Sequence, residues 1–155
     1  MDLFLSTYVQ KVDRKGRVSV PATFRSSLAR QEDPNAIVVF PSIKFPALDG
    51  GGVDRISEMK DRLEELDQFS EEYENLTMLF ADAYQLTIDG EGRVILPEVL
   101  KQYAHIGEEA AFVGLGAMFQ VWEPNRFDDH RAAIRERALQ QRTTLPAAGG
   151  RRRLP

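Results

Sequence analysis

The sequence predicts an α+β protein, mainly β, that is built from two tandem repeats. Residues 8–21 return as residues 84–97, at an offset of 76 residues and with six identical positions. Asp and Gly stand in the middle of each copy between apolar and β-branched residues, which is typical of a β-hairpin turn. Between the copies, apolar residues recur at three- and four-residue steps, which indicates amphipathic helices.

Each copy is predicted to form a hairpin followed by a helix. Pro21 and Pro97 end the second strand of each hairpin, because proline lacks a ladder donor but fits the first turn of a helix. Aromatic and β-branched residues favour the strands on both sides of the turn. The predicted first strands, turns and helices are residues 8–12 and 84–88, 13–16 and 89–92, and 22–30 and 98–103.

A second pair of apolar segments completes each repeat. Residues 37–40 and 44–48 form this pair in the first repeat, and residues 110–115 and 118–122 form it in the second. Pro46 places its strand at a sheet edge, since it cannot donate to a ladder. Each repeat is therefore predicted to run strand–strand–helix–strand–strand.

Helices are predicted after each repeat. Residues 50–52, all glycine, are expected to form a flexible junction into the first of them. Ser70 marks a new helix N-terminus, because serine is a good N-cap. A last helix is expected over residues 125–141. The apolar side chains that define these helices favour core or subunit contacts, and they are Val53, Ile56, Met59, Leu63, Leu66, Phe69, Tyr73, Leu76, Leu79, Phe80, Phe127, Ile134 and Leu139.

The net charge of −4 is unevenly distributed along the chain. Residues 1–30 carry +4, residues 31–124 carry −13, and residues 125–155 carry +5. One interpretation is a solvated acidic helical region between two ordinary ends. The other is a polyanion-binding face that is kept apart from an acidic body.

Several classes of function find no support in the composition. The chain has no cysteine and only two histidines, so neither a disulfide framework nor a metal site is expected. The N-terminus lacks the features of a signal peptide and no segment has the length of a membrane span, which favours a soluble cytoplasmic protein. No cofactor and no catalysis are expected. A hydrolase using Asp13 or Asp89 with His105 is disfavoured, because exposed hairpin tips are expected to offer no pocket.

Residues 13–25 strongly resemble the start of MraZ proteins, which are bacterial transcriptional regulators with two tandem SpoVT-AbrB domains. The resemblance extends over residues 3–135. Two Asp-x-x-x-Arg copies, each followed by strand, proline and helix at the same offsets, make it specific. The other matching segments are residues 1–8, 89–97 and 120–123.

The resemblance implies a swapped-hairpin, double-psi-like barrel formed by the two halves of the chain, with flanking helices. It also implies binding of double-stranded DNA at promoter repeats, a homo-oligomeric ring, and repression of the division and cell-wall gene cluster at the nucleoid. Neither a membrane nor a small-molecule substrate is expected as a partner. The expected divisions are repeat 1 over residues 7–52, a helical connector over 53–82, repeat 2 over 83–126, a C-terminal helix over 127–142, and a disordered basic tail over 143–155, which contains Arg151, Arg152 and Arg153.

The candidate site residues lie in the two hairpin turns. A guanidinium group can donate two hydrogen bonds to phosphate or to a guanine edge, whereas an aspartate can brace the turn and orient the arginine. The alternative is that each Asp–Arg pair is only a salt bridge within its hairpin. The expected DNA-binding residues are Arg14, Lys15, Arg17 and Arg93, and the expected bracing residues are Asp13, Gly16, Asp89 and Gly92.

The two motifs differ in charge. Residues 11–25 carry +4, whereas the matched window, residues 87–101, carries −1. Because phosphate neutralisation dominates DNA affinity, the first motif is expected to supply most contacts and the second to serve architecture or a weaker contact. Arg25 could face the same surface or be solvated. The main alternative to a DNA-binding regulator is a ring-forming protein-interaction scaffold with incidental DNA binding.

Overall fold

The structure is a computed structural model, and it describes residues 3–146 of the 155. The order strand–strand–helix–strand–strand occurs twice, as predicted, and the α+β class is confirmed. Of the expected tail, residues 147–155 with Arg151, Arg152 and Arg153 lie outside the described residues. The elements are β1 Thr7–Lys11, β2 Arg17–Ser19, α1 Ala22–Leu28, β3 Ala36–Pro41, β4 Leu48–Gly51, α2 Val53–Leu63, α3 Glu71–Ala81, β5 Tyr84–Thr87, β6 Arg93–Ile95, α4 Glu98–Tyr103, β7 Glu109–Gly114, β8 Phe119–Trp122 and α5 Pro124–Gln141.

The two repeats exchange strands. A six-stranded antiparallel sheet has the order β1-β7-β8-β4-β3-β5, and β2 and β6 form a separate two-stranded sheet. The first strand of each repeat thus pairs with a strand of the other repeat, β1 with β7 and β5 with β3. Among the described residues the strand ladders do not close into a barrel, since β1 and β5 are the outer strands. Neither repeat completes a sheet by itself.

The hairpins are also hydrogen-bonded to each other. The backbone N–H of Val20 donates to the carbonyl oxygen of Gly92 at 2.9 Å, and the N–H of Leu96 donates to that of Gly16 at 2.9 Å. These bonds join the end of each hairpin to the turn of the other. Folding of either turn therefore depends on both halves of the chain.

An aromatic cluster from both repeats forms the centre of the core. Phe24 on α1 packs against Phe4 and Phe119 with ring centroids 5.2 and 5.4 Å apart. Phe112 on β7 lies 6.2 Å from Phe24. All four side chains are fully buried, so a single apolar core joins the repeats.

The structure corrects the prediction for residues 44–52. The expected edge strand at 44–48 is wrong, because β4 begins only at Leu48 and lies inside the sheet, between β8 and β3. The expected flexible junction is also wrong for Gly50 and Gly51, which belong to β4. A Cβ atom on Gly50 would lie 2.6 Å from the Phe119 ring. Glycine is present here because the strand passes directly over a buried ring.

Gly50→Ala is expected to lower the free energy of unfolding by about 1–3 kcal/mol, the usual cost of overpacking a core. The added methyl group meets the ring of Phe119, which is fully buried and packs against the rings of Phe4 and Phe24. Thermal melts measure the change. Gly107→Ala is the control, because no atom among the described residues lies within 4 Å of the added carbon. Equal stability of the two variants would contradict this packing.

The two connecting helices leave their apolar faces half covered. Ser70 caps α3 as predicted, since its hydroxyl accepts from the backbone N–H of Tyr73 at 3.1 Å. The predicted apolar stripe is interrupted, because α2 ends at Leu63. No residue of α2 or α3 is buried. This apolar face is thus only partly covered by the described chain.

The chain divides into two compact units, the second of which begins at Asn125. Its described part contains most of α5, in which Phe127 is buried and the Arg131 guanidinium lies 4.6 Å from the Phe127 ring centre. The rest of the predicted stripe is exposed, with Leu139 at 79%. No helix among the described residues is both long enough and apolar enough to cross a membrane.

Candidate nucleic-acid interface

Asp13 organises the turn of the first hairpin. Its Oδ1 accepts hydrogen bonds from the backbone N–H groups of Lys15 and Arg17, both at 2.9 Å, and its Oδ2 accepts from Arg17 Nε at 2.6 Å. Gly16 has φ +82°, a left-handed conformation that glycine adopts without strain. One carboxylate thus fixes the turn and orients the arginine.

The second turn has the same backbone but a different side-chain pairing. Asp89 Oδ1 accepts from the N–H groups of Glu91 at 2.8 Å and Arg93 at 3.0 Å, and Gly92 has φ +81°. Asp89 Oδ2 lies 3.5 Å from Arg93 Nε, and Glu91 Oε2 lies 3.3 Å from Arg93 Nη2. The buried Nε finds no hydrogen-bond acceptor among the described residues. Two carboxylates therefore share this arginine, at longer distances than in the first hairpin.

The ribbon of β2 and β6 brings both arginines to one face. Arg17 lies opposite Ile95, and Arg93 lies opposite Ser19. The central pair, Val18 and Val94, is buried beneath them. The two arginines are diagonal neighbours, a relation in which residues lie about 7–8 Å apart. The strand exchange thus joins two motifs that are 76 residues apart in sequence.

Further basic side chains stand at the turns. Arg14 and Lys15 are exposed at the first turn. The sequence allows Arg25 to face either the same surface or solvent. It lies against the second turn, since a Cβ atom on Gly92 would be 2.8 Å from the Cζ of Arg25. The Nε of Arg25 donates to the Val20 carbonyl at 3.2 Å. Lys101 was missed, although it holds the same position in the second repeat as Arg25 does in the first.

An open cleft of about 1180 Å³ adjoins the first hairpin, so the expectation that the hairpin tips offer no pocket is wrong. Lys11, Arg14 and Arg17 line it together with Arg93 and Lys101. Acidic residues from the second repeat also line it. The acidic set is Glu98, Glu108, Glu109 and Glu123. The cleft therefore has mixed charge, and its cations are concentrated at the hairpins.

Asp13 and His105 both line this cleft, but their local roles are structural. Hydrogen bonds from the backbone N–H and the guanidinium of Arg17 lower the pKa of Asp13, so its carboxylate is a weak base. His105 follows α4 with φ +57°, and its backbone N–H donates to the Gln102 carbonyl at 3.2 Å. It ends a helix. This arrangement does not favour acid–base catalysis.

Asp13→Asn is expected to reduce the loss of stability in acid. The pKa of Asp13 lies below its usual value of 3.8 in the folded chain, so between the folded and unfolded pKa values the unfolded chain binds more protons. The contribution of the Asp13 carboxylate to the stability of the folded chain is complete at neutral pH. It is lost as the pH falls through the lowered pKa of Asp13. Thermal melts of both proteins from about pH 6 to about pH 2 measure it. Parallel curves would contradict the bracing role.

Residues 79–145 match the family model described as "MraZ protein, putative antitoxin-like". Transcriptional regulator MraZ of Rickettsia akari (strain Hartford) is 44% identical over 146 residues, which cover 94% of this chain and 97% of the relative. The protein of the same name from Rickettsia africae (strain ESF-5) is 43% identical with the same coverage. The solution structure of PHS018 from Pyrococcus horikoshii is 17% identical, with a TM-score of 0.33 and coverage of 75% of this chain and 94% of that one.

The similarity to the two Rickettsia proteins includes both hairpins, because it extends over 94% of the chain. Both of these relatives are named as regulators of transcription and not as enzymes. The resemblance found in the sequence is thereby confirmed, and the chain belongs to the MraZ family of transcriptional regulators.

Proposed function

We propose that this protein is a sequence-specific transcriptional regulator that binds double-stranded DNA through the β2–β6 ribbon. The observation that carries the proposal is the position of Arg17 and Arg93 on one outward face of this ribbon. A two-stranded ribbon fits the DNA major groove, where an arginine can donate two hydrogen bonds to guanine. Ile95, 59% exposed on the same face, offers an apolar contact for a thymine methyl group.

The charge distribution supports a leading role for the first hairpin. Residues 11–25 carry +4, and Arg14 and Lys15 are exposed at the turn, where they can reach phosphates. Neutralised phosphates supply most of the sequence-independent affinity for DNA. The second hairpin, in a window of −1, would add a weaker contact.

The biological role that we propose follows from the family resemblance. The regulator would act in the cytoplasm at the nucleoid, as a repressor of the division and cell-wall gene cluster. Its relatives carry the name of transcriptional regulators. Repeated short sites in a promoter would let several hairpins bind together, which multiplies weak contacts.

Footprinting on the DNA upstream of the protein's own coding sequence tests this proposal. We expect protection of short repeated sites at about 0.15 M salt, a concentration at which surface attractions are substantially screened. Absence of protection by folded protein would contradict DNA regulation. It would favour the alternative, a scaffold whose hairpins bind protein.

We propose that residues 7–52 and 83–126 are the two SpoVT-AbrB repeats, and that the six-stranded sheet and the β2–β6 ribbon pack as one swapped-hairpin barrel without a continuous hydrogen-bonded ladder. A backbone bridge between Val12 and Val18 supports this, because it connects the β1 side of the larger sheet to the ribbon. Residues 53–82 would be the connector, followed by a C-terminal helix over 127–142 and the tail.

We also propose a closed homo-oligomeric ring. The two repeats are only approximately alike, so a head-to-tail contact between chains joins different surfaces and closes if the rotation allows. The half-exposed apolar side chains of α2 and α3, among them Ile56 and Met59, support a contact there. Light scattering at micromolar concentration should give a multiple of the 17.5 kDa chain mass. A monomeric mass would contradict the ring.

A further inference from the structure

The two hairpins differ in charge at one turn position that matters for the neighbouring arginine. The third residue of the first turn is Lys15, and its equivalent in the second turn is Glu91. Both turns have the same backbone, because each aspartate accepts from the N–H groups two and four residues ahead. The second hairpin thus has a carboxylate where the first has an ammonium group.

Glu91 is paired with the arginine of its own hairpin. Its Oε2 lies 3.3 Å from Arg93 Nη2, and Asp89 approaches the same guanidinium from the Nε side at 3.5 Å. The Arg93 side chain is 28% exposed, whereas that of Glu91 is 75% exposed. Asp89 is 46% exposed, so both carboxylates face solvent and offset the arginine charge only in part, most strongly at low salt.

Arg17 has a different environment. Asp13 contacts it at Nε, at 2.6 Å. Lys15 is a cation and cannot accept a hydrogen bond from the guanidinium. Within its own turn, Arg17 therefore meets a single carboxylate, and Arg93 meets two.

We propose that Glu91 is a specificity-determining residue of the DNA-binding surface, because its carboxylate competes with DNA phosphate for Arg93. This inference rests on the proposed function. On an unrelated duplex Arg93 can contact only phosphate, a contact that carries no sequence information and that the carboxylate weakens. At a correct site Arg93 donates instead to a base edge in the groove, where a pair of hydrogen bonds to guanine competes better with the carboxylate. Glu91 thereby increases the ratio of specific to non-specific affinity.

The neutral variant Glu91→Gln tests the inference with little change of shape. We expect it to bind a duplex of unrelated sequence about three- to ten-fold more tightly at low salt, with a salt slope steeper by up to about one. Affinity for the protected site should rise less, so the specificity ratio falls. Glu91→Lys, which copies Lys15, should have a larger effect in the same direction.

Glu58→Gln is the matched control. Glu58 Oε2 lies 3.2 Å from Nη1 of Arg55, whose Nε, like that of Arg93, is buried without an acceptor among the described residues. Neither Glu58 nor Arg55 lines the cleft at the hairpin. The control therefore removes the same charge from a similar pair on α2, and it should leave duplex affinity unchanged. Thermal melts check that all variants are folded, and light scattering checks that they keep the parent's mass, because α2 also carries the proposed contact between chains.

The double variant Glu91→Gln with Arg93→Ala distinguishes competition from a general change of charge. We expect most of the gain from Glu91→Gln to disappear when Arg93 is absent. An equal gain in both backgrounds, or no difference from Glu58→Gln, would overturn the role of Glu91. A parent protein that binds no duplex at all would contradict the proposed function itself, and with it this inference.

Discussion

Arg17→Ala should weaken binding to a cognate duplex by about 1–3 kcal/mol if the guanidinium donates to a base. The loss would be larger in a ring, because several hairpins engage the DNA together. If Arg17 contacts only phosphate, binding should weaken on all sequences and the salt slope should fall by about one. Duplex titrations across a salt series distinguish these two cases.

Arg93→Ala is the internal comparison, since it removes the same side chain from the same face of the ribbon. It should cost less duplex affinity, because Asp89 and Glu91 already hold this guanidinium. Thermal melts separate lost contacts from lost stability. Unchanged affinity of Arg17→Ala, or a larger loss for a well-folded Arg93→Ala, would show that the assignment of the motifs is wrong.

The first repeat expressed alone, as residues 1–50, should be unfolded or self-associated. In the whole chain its β1 pairs with β7 and its β3 pairs with β5, so both partners are absent from the fragment. Phe24 also loses the rings of Phe112 and Phe119. Open strand edges and exposed aromatic rings favour pairing between copies of the fragment.

Circular dichroism and light scattering on this fragment measure the outcome, with the full chain as the control. Self-association should appear as a concentration-dependent mass with strand content. A cooperative thermal transition at a monomeric mass would contradict the interwoven core.

The hairpins and their helices could be predicted from the sequence because their signals are local. Asp13 determines the turn through its carboxylate, which accepts from the backbone N–H of Arg17, and Gly16 through its left-handed φ. Pro21 ends the strand that follows the turn. Ser70 likewise caps the helix that begins at the next residue. Such features depend on a few neighbouring residues, which lie side by side in the sequence.

The interior position of β4 could not be predicted in the same way. Gly50 is required by a ring 69 positions away, on a strand of the other repeat. From the sequence alone, three consecutive glycines are typical of a flexible junction. Only the pairing of this segment with strands that are distant in the sequence determines that the glycines form a strand and not a flexible junction.

The candidate site shows the same division between local and long-range information. The Asp–Arg spacing predicts each turn, but the common face of Arg17 and Arg93 depends on the pairing of β2 with β6. The contact of Arg25 with the second turn also crosses between repeats. Arg25 and Lys101 stand at equivalent positions of the two repeats, 76 residues apart, and this equivalence is the signal by which the sequence could have indicated both residues.

Cross-linking from the ribbon tests the central proposal most directly. The chain contains no cysteine, so Ser19→Cys provides a single attachment point for a photoreactive group on the outward face, opposite Arg93. Asn75→Cys on α3 provides the same group at an exposed position that does not line the cleft. We expect efficient cross-linking to the cognate duplex from position 19 and little from position 75. Cross-linking from position 75 with none from position 19 would contradict DNA binding through the ribbon.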